Sequence, residues 1–132
     1  MTHQTPATAA SHARAASEAI RALNHLTQRP DENAEWFYPG DAYAVVGALA
    51  ELAARLPQAI GQAHRLIHTL AQGGGLRHDT GDPAALAADL SALHGAVEWA
   101  RDNADLLRTS LDDVHAMLGH LGYDEDGMGE ER

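Results

Sequence analysis

From Leu86 to Leu121 the apolar positions fall at Leu86, Leu90, Leu93, Val97, Ala100, Ala104, Leu107, Leu111, Val114, Leu118 and Leu121. The steps alternate four, three, four, three without a break. That is the 3.5-residue period of a helix that offers one narrow seam to another helix. The same spacing appears earlier. Ala13, Ala16, Ile20 and Leu23 mark a first helix, with Ser11 as its cap and Pro30 as its stop. Ala42, Val45, Leu49, Leu52, Leu56, Ile60, Ala63, Ile67 and Leu70 mark a second, opened by Asp41 as N-cap. The repeat gains one residue at Leu56–Ile60, next to Pro57. A proline inside a helix removes one hydrogen bond, so a kink is expected at Pro57.

Gln72-Gly73-Gly74-Gly75 ends the second helix, and Asp82-Pro83 pairs a capping Asp with a proline at the first helical position of the third. The third helix reads to about His120, with Gly122 as its stop. The two long helices would span about 46 Å and 57 Å and, with so short a connection, must be antiparallel neighbours. The sequence therefore predicts an all-α fold: a three-helix bundle built on a long antiparallel hairpin, kinked at Pro57, with coiled-coil-like packing. Residues 1–10 read as a flexible arm, 11–121 as a single helical domain and 122–132 as a disordered acidic tail.

The first helix is about half as long as the third and can cover only part of the hairpin. A stripe is left over toward Leu107, Leu111, Val114, Leu118 and Leu121. Such a stripe is either capped by the aromatic connector Trp36-Phe37-Tyr38, tucked over the bundle end, or used to dimerise. Trp99, beside the seam, is expected half exposed or under the first helix.

Composition narrows the function. There is no cysteine, which removes disulfides and thiolate metal sites. The net charge of −10 disfavours direct nucleic-acid binding and anionic membranes, while leaving a basic protein partner or mimicry of nucleic acid open. No apolar run is long enough to span a membrane, and Met1–Ala10 lacks the form of a secretory signal, so a cytoplasmic setting is expected. Every basic side chain is Arg; Lys is absent.

Nine histidines are many for 132 residues. His64 and His68 stand one turn apart, as do His94 and Glu98. With the turn centred near Arg77, His64 and His94 come to similar depth, and the four could converge as ligands for Zn²⁺ or as a pH-sensitive pair. The alternative is that they are ordinary flank residues. His94, Arg101, Arg108 and His115 form a basic stripe, read either as solvated flank charges or as charges that pair with acidic positions of a neighbouring helix and select partner or register. Catalytic templates are missing: Gly73-Gly74-Gly75 lacks the lysine of a phosphate loop, and there is no nucleophile elbow.

The stretch Glu18–His25, followed by Tyr38–Gln58, resembles small uncharacterised helical proteins of actinobacteria. That resemblance implies a bacterial, cytoplasmic setting and carries no activity or site residues. The combined expectation is a non-enzymatic interaction or adaptor protein, homodimeric through the heptad seam. The alternative is a helical bundle that binds a metal or ligand through its histidine cluster.

Overall fold

The computed structural model describes residues 6–28 and 35–124. The expectations placed on residues 1–5, 29–34 and 125–132, including most of the arm and the acidic tail, lie outside the described residues. The described residues are all-α, with three helices among them: α1 (Ala9–Gln28), α2 (Pro39–Gln72) and α3 (Pro83–Leu118). Among the described residues no helix is long and apolar enough to cross a membrane.

Each helix start is tied by a side chain that accepts from backbone amides at or just before the first turn. At α1 the cap is Thr8, one turn before the expected Ser11. Thr8 Oγ1 accepts from the Ser11 amide at 3.1 Å, and Ser11 Oγ accepts from the Thr8 amide at 2.9 Å. Ser11 thus serves as the reciprocal partner. At α2 the expected cap Asp41 is displaced in the same direction. Tyr38 is the N-cap, and Asp41 reaches back one turn so that Oδ2 accepts from the amides of Phe37 and Tyr38, both at 2.9 Å. Asp82 caps α3 as expected, its Oδ1 accepting from the Ala84 amide at 3.0 Å with Pro83 behind it.

The two amides that Asp41 accepts from, Tyr38 first, hold its carboxyl below the usual 3.8. A depressed carboxyl contributes stability above 3.8 that is lost as pH falls through its folded-state pKa. The melting temperature of the wild type should therefore fall more steeply below this pH than that of Asp41→Ala. Thermal melts across the acid range test this. Equal acid sensitivity of the two proteins would count against the Asp41 clamp.

α2 runs unbroken through Pro57 from Pro39 to Gln72. Gly74 (φ 73°) follows its end, where the Gly73 amide donates to the Thr69 carbonyl at 3.1 Å and the Gly75 amide to the Leu70 carbonyl at 2.9 Å. α3 stops at Leu118, short of the expected His120, and Gly119 takes the role expected of Gly122. An added Cβ at Gly119 would lie 3.3 Å from Tyr43 Cε2, so the α2 ring approaches the backbone at that point.

α2 and α3 pack against each other as an antiparallel hairpin, whereas no Cα of α1 comes within 8 Å of either. The expected cover of the seam by the first helix is thus not made. Ile20 and Leu23 on its apolar stripe stay half exposed, and Leu26 is 55% exposed. The hairpin core is built from alanine. Among the described residues only Ala50, Ala53 and Ala104 are buried. Small side chains at the line of closest approach let two backbones come together, which leaves the Leu, Ile and Val side chains flanking the contact. Their apolar surface is removed from water only in part.

Candidate functional site

Two pairs establish how α3 lies on α2. An added Cβ at Gly47 would come to 2.9 Å from His115 Nε2, and one at Gly61 to 3.5 Å from Arg101 Cζ. Both pairs are centred on Gly81, four residues beyond the expected turn centre at Arg77. With this register Gly47, Ala54 and Gly61 recur every seven residues on α2, opposite His115, Arg108 and Arg101. Ala54 and Arg108 line the same groove, as the register requires. A glycine inside a helix costs about 1 kcal/mol against alanine. Here Gly47 and Gly61 provide the room in which the long α3 side chains lie. His115 is held on its other side by Tyr43, the rings stacked at 3.9 Å and 19°.

The basic stripe therefore faces α2, but not through ion pairs with it. Arg101 Nη1 meets Glu98 Oε1 at 3.5 Å and Arg108 Nε meets Asp112 Oδ2 at 3.7 Å, both on α3 itself. Of the two readings, the solvated flank charges fit: α2 presents glycine and alanine opposite Arg101, Arg108 and His115. Exposed pairs of this kind contribute only tenths of a kcal/mol each.

The histidine cluster assembles in part. His64 and His94 meet across the hairpin with ring centroids 5.5 Å apart and tilted by 43°. His68 lines the same groove, of 320 Å³, together with Ile67, Ala71 and Leu90. Glu98 does not join them, because Arg101 holds it. Among the described residues no three His, Asp or Glu side chains are already grouped to hold a metal ion.

Once the α2 side of α3 is known, the heptad seam divides lengthwise. Arg101, His115 and Ala104 point to α2, and on this side Leu90, Val97, Leu111 and Leu118 are half-buried. Of the alternate seam positions Leu86 and Ala100 stay half-buried, while those toward the C-terminal part turn away. Leu107 is 48% exposed, Val114 43% and Leu121 60%. Beside them on the wheel lie Trp99 and Leu106, 70% and 65% exposed, so Trp99 is not covered by the first helix. The third side of α3 is acidic, with Glu98, Asp102, Asp105 and Asp112.

The aromatic connector does not plug the hairpin end. Phe37 is 70% exposed and Tyr38 55%, while Trp36 is half-buried. Tyr38 packs edge-on against Tyr123, at 5.0 Å and 83°, which ties the start of α2 to the chain after α3.

The turn between α2 and α3 carries a hydrogen-bonded histidine that no periodicity or motif marks. His78, in the turn between α2 and α3, places Nε2 2.8 Å from Asp89 Oδ2 and Nδ1 2.7 Å from Thr80 Oγ1. The Asp89 carboxylate can only accept, so Nε2 carries the proton and donates. His78 thus fastens the turn to the first part of α3. The only signal was a polar cluster, His78-Asp79-Thr80, inside a loop.

Compared with known protein families, curated proteins and solved structures, the chain matches none.

Proposed function

We propose that this chain is a non-enzymatic interaction protein that pairs with a second copy of itself through the apolar face that α3 turns away from α2. The observation that supports the reading is surface. The chain exposes 10,695 Å². A compact monomer of this mass exposes roughly 6,700 Å². A specific dimer needs about 800 Å² per partner; part of the surplus belongs to α1, which packs on neither long helix, and part to the exposed apolar side chains of α3.

The nature of that surface favours a second copy. Leu93, Leu107 and Val114 lie on one helical stripe of α3 over 21 residues, or about 32 Å, and the exposed Leu121 follows just beyond the helix end. Beside it, Trp99, Leu106 and Met117 widen the stripe. The charged residues of α3 are mostly elsewhere: Glu98, Asp102, Asp105 and Asp112 lie on another side. Two copies can therefore meet face to face with little opposition of like charge. The acidic side stays outward in such a dimer and is where a basic protein partner would engage.

The test is the solution mass of the full chain by size-exclusion chromatography with light scattering. The expected result is twice the chain mass of 14.0 kDa. The double substitution Leu107→Asp, Val114→Asp should give the monomer with helical content retained. A wild-type monomer at high micromolar concentration would overturn the reading.

A further inference from the structure

We infer that His64 and His94 clamp one divalent cation of the Zn²⁺ type across α2 and α3, with His68 turning in as a third ligand. The geometry of the ring pair carries the inference. An imidazole nitrogen binds Zn²⁺ at about 2.0–2.1 Å, which puts the ring centroid about 3.2 Å from the ion. Two rings on one tetrahedral ion then have centroids about 5.2 Å apart. The observed separation of His64 and His94 is 5.5 Å, and the tilt of 43° keeps them from stacking.

The surroundings fit the same class of ion. His68 stands one helical turn from His64 and lines the same groove, whose 320 Å³ also admits water as a fourth ligand. Histidines at i and i+4 on one helix face are a ligand pair in their own right. No carboxylate lines this groove, and neither does any arginine. An all-imidazole donor set suits Zn²⁺, Cu²⁺ or Ni²⁺ and not Mg²⁺ or Ca²⁺, which take oxygen. The net charge of −10 draws any cation toward the chain. Since no three ligands are pre-grouped, the exposed His68 completes the set only as the ion binds.

The experiment is a calorimetric titration of the full chain with ZnCl₂ at neutral pH. One ion per chain in the micromolar range is expected, with no heat from MgCl₂. His64→Ala and His94→Gln should each weaken binding by more than about tenfold. His68→Ala should weaken it by about tenfold, and His78→Ala should leave it unchanged. Zn²⁺ should also raise the melting temperature of the wild type but not of His94→Gln, because ligands from two helices come together only in the folded hairpin. The absence of binding would overturn the inference. So would binding that survives His94→Gln, which would place the ion on α2 alone.

Discussion

Ala53→Leu is expected to lower the melting temperature by roughly 10–20 °C. Ala53 is 1% exposed, the most buried residue of the hairpin. It belongs to a core whose other buried members are also alanines, Ala50 and Ala104. Three added carbons have no cavity to enter, so the helices must separate or the side chain must leave its rotamer. Overpacking of this kind costs about 1–3 kcal/mol. In a small domain each kcal/mol shifts the midpoint by about 4–8 °C. The matched control is Ala88→Leu, on an exposed position of α3, where the change should stay within about 0.5 kcal/mol. Thermal melts followed by circular dichroism read both. Equal melting of the two variants would show that the alanine line is not the packing core.

Leu111→Asp is expected to cost about 2–4 kcal/mol, through lost apolar burial and a charge placed beside the core. Leu111 is half-buried on the α2 side of α3, one heptad after the buried Ala104. Val114→Asp, only three residues on, should behave differently. Val114 is 43% exposed and faces away from α2, so its substitution should act on association. The two effects separate by concentration. The destabilisation by Leu111→Asp should persist on dilution, whereas that of Val114→Asp should vanish where the wild type is itself monomeric, by mass action. Urea unfolding at several protein concentrations measures this. If the two substitutions gave the same concentration dependence, the lengthwise division of the seam would be wrong.

That division is not encoded in the heptad. The heptad from Leu86 to Leu121 identified an apolar stripe, but a stripe wide enough for two neighbours does not say which edge each will take. Leu111 and Leu118 read as the same kind of residue as Leu107, Val114 and Leu121. Only the placement of α2, read from His115 over Gly47 and Arg101 over Gly61, separates them. The histidine cluster behaved similarly. Moving the turn centre from Arg77 to Gly81 shifts the partner of each α2 residue by eight places along α3, about two helical turns. His64 and His94 still meet because His94 lies one turn from the partner position of His64 in either register. Glu98 was lost from the set because Arg101, three residues on, is the nearer partner.

The sequence by itself determined the class of this protein: the helices among the described residues, the glycine- and proline-marked turn between α2 and α3, and their antiparallel pairing. These follow from local rules, since hydrophobic period, capping side chains and helix breakers act within a few residues of one another. The cap positions slipped by one turn at α1 and α2, because Ser11 and Asp41 can reach backward as readily as they can cap forward. What only the tertiary structure decided is which surface each helix spends on its neighbour. α1 was expected on the seam and stands away from it, and the hairpin closes on alanines and glycines instead of leucines. The physical reason is that backbone approach is set by the smallest side chains along the line of contact. That line depends on the relative rotation and shift of two helices, which neither helix carries in its own sequence.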